Sequence, residues 1–180
     1  MIQHFRSFLG NVSDVWKDNE GSHLEVLLFK DQPQPGISTY TTLNMSEDIL
    51  SLKGEKKIRQ ELIFSVYEKF ENEEIAQHLV SFAEEVVKSR KGLLKGQVIG
   101  PGRPFIVGTE LVGLYPTAPV FFESGFHVNN NYHPPVVVVW LIPILINEIH
   151  FIQKKGWNEF EERLEKSQCD FWNVNRKSII

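Results

Sequence analysis

Two histidines lie close together in this sequence, His127 and His133, separated by Val-Asn-Asn-Asn-Tyr and preceded by Glu123. Imidazole and carboxylate are the side chains that hold zinc, and a zinc centre draws three or four such ligands. A tight helical or hairpin spacing normally fixes their geometry. Five intervening residues, three of them Asn, impose no such spacing, so a polar loop is the simpler reading. A small metal-dependent hydrolase using Glu123, His127 and His133 is the enzymatic alternative to it. The run Gly96-Gln-Val-Ile-Gly100-Pro-Gly102-Arg103-Pro104 has glycines for a phosphate loop but lacks a following Gly-Lys-Ser/Thr. Pro101 and Pro104 also prevent a helix from opening there, which leaves turn mechanics as the use of those glycines. Arg103 could meet an acidic group of a partner.

Glu148 sits where a helix begins, and its charge suits the positive end of the helix dipole without any chemistry. Cys169 is the single cysteine, so the sequence forms no intramolecular disulfide and no thiolate metal cluster. Its neighbours Glu165 and Asp170 disfavour a thiolate. G-x-S-x-G, H-E-x-x-H and H-x-E with C-x-x-C are all absent. No catalytic residue, cofactor or metal ligand is therefore assigned. The expectation is a chain that binds, with Glu110, Glu123, Phe126, His127, Asn129, Asn130, Asn131, Tyr132 and His133 as the candidate partner-facing residues. They combine aromatic anchors, amides and acids, mostly in one polar loop, and loops carry function more often than core elements do.

These residues need a scaffold. Ile2, Phe5 and Leu9 fall at helical spacing, which predicts a short amphipathic helix over residues 2–9. Strands are predicted over His23–Lys30, Ile37–Met45 and Arg59–Tyr67, with a loop at Pro33-Gln34-Pro35-Gly36. Ile75, Leu79, Phe82 and Val86 form one stripe of a helix over Glu73–Lys91, with Asn72 as its cap and Gly92 as its stop. Short strands follow at Gln97–Ile99, Phe105–Val107, Leu111–Tyr115, Val120–Phe122 and Phe126–Val128. The run VVVVWLIPILI, residues 136–146, is too short to cross a bilayer, which takes about 20 apolar residues. Its valines predict a strand covered on both faces, cut by Pro143. A last helix, capped by Asn147, places Ile149, Ile152, Phe160 and Leu164 inward and breaks or kinks at Gly156. Strands, helix, strands, helix is the order of an α+β single-domain sandwich, a mostly antiparallel central sheet flanked by helices.

The 180 residues suit one domain, 1–180, with 42% hydrophobic and 23% charged residues. The net charge of −4 and isoelectric point of about 5.9 argue against direct nucleic-acid binding and lean towards a basic protein surface. MIQHFRSFLGNVSDVW has Arg6 within it and no apolar stretch of signal-peptide length, so a cytoplasmic location is expected.

Taken in succession, Ser38-Thr39-Tyr40-Thr41-Thr42-Leu43-Asn44-Met45-Ser46, Arg59-Gln60-Glu61-Leu62-Ile63, the helix Ile75–Val87 leading to Gly96-Gln97-Val98-Ile99, Pro143-Ile144 with Glu148, Lys155-Gly156-Trp157, Phe160, Leu164, Asp170 and Arg176 resemble the Suppressor-of-fused domain family. The likeness runs over about residues 20–178. Asn44 stands where the family pattern has Gly, and Asn tolerates the left-handed backbone such a turn uses. The resemblance implies a non-catalytic protein-binding module. Stand-alone bacterial members of this length look like immunity proteins, antitoxins that neutralise a cognate polymorphic toxin, often a nuclease; the animal proteins, which carry a further C-terminal domain, restrain a transcription factor. A cognate protein toxin is thus the expected partner, and a regulatory adaptor is the alternative.

Overall fold

The computed structural model describes residues 1–17 and 21–180. Among them are eight strands: β1 Asp14–Lys17, β2 Glu25–Lys30, β3 Ile37–Leu43, β4 Leu50–Ser51, β5 Lys57–Tyr67, β6 Gly113–Thr117, β7 Val128–Asn129 and β8 Val136–Ile144. Four α-helices accompany them: α1 Ile2–Leu9, α2 Glu73–Ser89, α3 Ile146–Lys155 and α4 Trp157–Lys166. The sheet runs β1-β2-β3-β5-β8-β6, with β4 added beside β5 and β7 beside β8. All pairings are antiparallel except β5 with β8, which run parallel from Arg59↔Val136 to Ile63↔Trp140. The expected mostly antiparallel α+β sandwich is the observed one. None of the described helices is long and apolar enough to cross a membrane.

The sheet separates two apolar cores, because successive side chains of a strand point to opposite faces. Val26, Leu28, Leu62, Phe64, Val66, Val139 and Leu141 meet α2 through Ile75, Leu79, Val80 and Val86 on one side. Leu27, Phe29, Ile63, Val138, Trp140 and Ile142 meet Phe5, Leu9, Ile149, Ile152, Phe160 and Leu164 of α1, α3 and α4 on the other. Strand β8 is thus buried on both faces, and each such apolar side chain contributes about 1.5–3 kcal/mol over leaving it in water.

Several local readings are corrected. Pro143 does not cut the strand: β8 continues to Ile144, with Pro143 opposite Leu114. The Pro143 carbonyl accepts from Arg176 (2.9 Å), so this residue's polar edge faces away from β6, beyond the stretch paired with β5. No ladder bond is lost by its missing N–H. Helix α2 is capped as expected, the Asn72 side chain accepting from the Glu74 amide (3.0 Å), but it ends at Arg90 in the left-handed region (φ 54°) and not at Gly92. Gly92 is small for packing, since a Cβ there would lie 2.9 Å from Leu52. The cap of α3 is Leu145, whose amide donates to the Glu148 carboxylate (2.9 Å), and Asn147 lies inside the helix. Gly156 separates α3 from α4. Phe105–Val107 and Val120–Phe122 are not strands, Gln97–Ile99 supplies a single bridge from Ile99 to Leu114, and Phe126 lies in a 3-10 turn, Ser124–His127.

Candidate partner-binding surface

The loop ahead of β8 is held from three sides. After its 3-10 turn, β7 pairs with β8 through Val128↔Val137 and Asn129↔Val136. His4 Nε2 of α1 donates to the Phe126 carbonyl (3.0 Å), and the Met1 ammonium donates to Tyr132 Oη (2.9 Å). Asn129 Oδ1 accepts from the Asn131 amide (3.0 Å). Backbone ordered this way presents its outer side chains in a fixed pattern. Those outer residues are Glu123, Asn130, Asn131 and His133, with Tyr132 and His127 half-buried.

Two of the expected surface residues face the core instead. Phe126 is wholly buried, its ring 4.7 Å from Phe122 and 5.9 Å from Phe8, because α1 closes over it. Asn129 is buried as well, its amide spent on the loop's own turn and on Met1. Glu110 is exposed but lies apart, in a cleft with Leu145, Asn147 and Lys177 at the far end of β8. The nine residues of β8 separate that end from Asn129, a span of roughly 27 Å. Glu110 therefore stands apart from the loop.

Glu123, His127 and His133 are not assembled: among the described residues, no group of three or more His, Cys, Asp or Glu is placed to hold a metal ion. His127 Nε2 is buried without a hydrogen-bond partner among them. The glycine-rich run is a turn, as its residue types indicate. The amides of Gln97, Ile99 and Gly102 already donate to the carbonyls of Leu94, Leu114 and Val112, so they are not turned towards a phosphate. Gly100 has φ 107°, and a Cβ on it would lie 2.7 Å from the Val112 carbonyl.

Two buried carboxylates carry more than the sequence reading assigns to them: Glu61 stands there only within a family-like run, and Glu148 only within that succession and as a charge at a helix start. Glu61 accepts from the Thr42 hydroxyl (2.6 Å), the Ser46 hydroxyl (2.7 Å) and the Ser46 amide (3.1 Å). Burial pushes its pKa up to about 7, against the opposing pull of those three donors. Glu148 is gripped by Arg176 and also accepts from the amides of Leu145 and Ile179. Burial works to lower the Arg176 pKa, yet Glu148 outweighs it and holds it above the usual value. The sequence reading names both Glu148 and Arg176 in the family-like succession, but with 28 residues between them no local pattern pairs them.

A second concavity lies between β6 and α4 and encloses about 360 Å³. Tyr115, Trp140 and Ile142 form its floor, and Leu164, Phe121, Phe171 and Cys169 its sides. At one end Tyr115 Oη donates to Glu161 Oε1 (2.9 Å), while Lys95 pairs with Glu161 Oε2 (2.8 Å). Burial, then Glu161, raises the Tyr115 pKa far above the phenolic range. Burial also raises that of Cys169, as expected of a thiol with acidic neighbours and an apolar setting. Its lining comes from segments scattered between Lys95 and Phe171, which no local pattern links.

Residues 20–177 match the Suppressor of fused protein (SUFU) family. Immunity protein YqcF of Bacillus subtilis (strain 168) is 23% identical over 174 residues, 94% of this chain and 88% of that protein. A SUFU homologue from Neisseria gonorrhoeae FA 1090 superposes with a TM-score of 0.81 at 17% identity, covering 99% of this chain and 94% of the other. The Sufu–Fu complex structure gives 0.68 at 11% identity, over 92% of this chain and 80% of that one. Drosophila Suppressor of Fused gives 0.65 at 13% identity over 86% of this chain, which spans 42% of the fly protein.

Proposed function

The chain belongs to the Suppressor of fused protein family, and from that premise we propose that it is an immunity protein that binds and neutralises a toxin protein, without catalysis of its own. The observation that carries this reading is the near-full-length relation to Immunity protein YqcF, 94% of this chain against 88% of that one. The net charge of −4 supports a basic partner, and a nuclease toxin, which must itself meet phosphates, is of that kind. Such a complex forms in the cytoplasm of the producing cell. It buries a standard interface of about 1,600 Å² in all.

The outer edge of the loop before β8, the exposed Glu123, Asn130, Asn131 and His133 with the half-buried Tyr132, supplies part of the binding face. Its amides and partly apolar tyrosine suit a protein surface, and α1 holds the loop in place before binding, which lowers the ordering cost. Glu110 belongs to a separate patch.

Co-expression with a candidate toxin, sought first in the neighbouring open reading frame, tests the reading. Growth rescue and a co-purified one-to-one complex are expected, with rescue weakened by the Asn131→Arg/His133→Glu double variant. Unrelieved toxicity with no complex removes the proposal. A transcriptional regulator captured in place of a toxin transfers the chain to the adaptor role.

A further inference from the structure

The concavity between β6 and α4 is built for a side chain of a particular kind. Strand β6 is an edge of the sheet, yet it cannot accept another strand. The amide and carbonyl of Leu114 are already bonded to Ile99, and the next outward-facing residue, Pro116, has no N–H to offer. A partner that reaches this edge must therefore engage it through side chains.

The cavity's apolar wall is largely aromatic. Trp140, Phe121 and Phe171 lie with ring centroids 5.4–5.6 Å apart, and Phe121 remains 49% exposed at the rim. Ile142 and Leu164 complete the wall. Its charged groups are Glu161, Glu165 and Lys95, two negative charges against one positive, beside the neutral polar Thr117, Ser167 and Gln168. Lys95 is spent on Glu161 and also lies 5.1 Å from the centre of the Trp157 ring. Glu165 lines the cavity, is exposed, and has no hydrogen bond or ion pair among the described residues. Aromatic faces beside an unpaired carboxylate define a site for a cation with a flat face and an apolar stem.

We propose that this pocket seats an arginine side chain of the bound protein. The inference rests on the immunity-protein reading for the identity of that partner, and deepens it. Arginine's methylene stem lies against the cavity's apolar lining, its guanidinium plane stacks on the exposed ring of Phe121, and its paired N–H groups meet Glu165. A volume of about 360 Å³ is at the small end of ligand pockets, suited to one long side chain. A wholly apolar anchor would bury the Glu165 carboxylate without a counter-charge, which is costly. Lysine would fill the stem's place but offers a compact, strongly hydrated ammonium with no plane to stack.

Ala118 lines the cavity and is exposed, so Ala118→Trp plugs it without entering the core. The first experiment titrates the purified chain with acetyl-Gly-Arg-Gly-amide while NMR follows the Trp140 indole. A saturable shift is expected, at least fivefold weaker with the lysine peptide, weaker again with the norleucine peptide, and lost in both Ala118→Trp and Glu165→Arg. Equal response to the norleucine peptide overturns the proposal, and so does an arginine response that survives Ala118→Trp. A concentration-dependent dimer abolished by Ala118→Trp also overturns it, because the occupant is then a second copy.

The second experiment places Ala118→Trp, checked for an unchanged melting temperature, against a toxin that the wild-type chain neutralises. At least a tenfold loss of complex affinity is expected. Undiminished affinity overturns the pocket's role and leaves the immunity reading standing. Failure of the wild-type chain to bind or neutralise the toxin is the separate result that removes the immunity reading.

Discussion

Glu148 and Arg176, 28 residues apart, meet through two contacts of 2.7 and 2.6 Å with side chains 0% and 3% exposed. The same guanidinium donates to the carbonyl of Pro143, and the same carboxylate accepts from Leu145 and Ile179. Strand end, helix start and C-terminal segment are thus joined at one point. Removing one partner leaves a buried charge, so Arg176→Ala is expected to destabilise the fold by about 3–5 kcal/mol. The Glu148→Leu/Arg176→Met pair recovers only part of that loss: the desolvation of both charges disappears together, while the Leu145 and Ile179 amides and the Pro143 carbonyl lose their partners. Urea unfolding of the single and double variants measures it, and a single-variant loss below about 1 kcal/mol contradicts the assignment.

Glu61 makes stability depend on pH in the direction opposite to an ordinary ion-paired carboxylate. Its folded pKa of about 7 lies above the usual 4.5, so the folded chain binds the proton more tightly than the unfolded chain does. Its contribution therefore falls as pH rises between those two values and is lowest above pH 7. The expected loss between pH 4.5 and 7.5 is on the order of 3 kcal/mol, at about 1.4 kcal/mol per tenfold change in proton affinity. Glu61→Gln flattens that slope, read from urea midpoints at several pH values. A slope unchanged by the substitution refutes the assignment to Glu61.

Gly100 combines φ 107° with a Val112 carbonyl 2.7 Å from where a Cβ would stand. Neither strain is relieved by moving a flexible side chain. Gly100→Ala is expected to cost about 1–3 kcal/mol, measured as a lowered thermal midpoint, with Gly102→Ala near neutral because open space surrounds it. Equal effects at the two positions would show that close approach is not the reason for glycine at 100.

Phe126 belongs to the core, so Phe126→Ala is expected to destabilise the chain by about 3–5 kcal/mol. Asn130→Ala, on the exposed side of the same loop, changes stability by less than about 0.5 kcal/mol. Denaturation of both variants separates the two sides of the loop. A near-neutral Phe126→Ala would return this ring to the surface.

What the sequence determined by itself is the part ruled by local patterns. Asn72 as a cap, the stripe Ile75–Leu79–Val86, the break at Gly156 and the doubly buried valine run each follow from neighbours a few residues away, where backbone geometry dictates the periodicity. The order of such elements also sufficed for the α+β sandwich. Tertiary structure decided the rest. Pro143 could stay in its strand because the β5 pairing ends before it, so its missing N–H breaks no ladder bond, while Arg176 takes up its carbonyl. Phe126 turned inward because α1, more than a hundred residues earlier, covers it. Glu61 was drawn into a nest of hydroxyls from Thr42 and Ser46, and the pocket at Trp140 and Glu165 gathers residues from Lys95 to Phe171. Burial and pairing arise from which surfaces come together across the sheet, and that is set by the packing of distant segments, about which the period of any one segment carries no information.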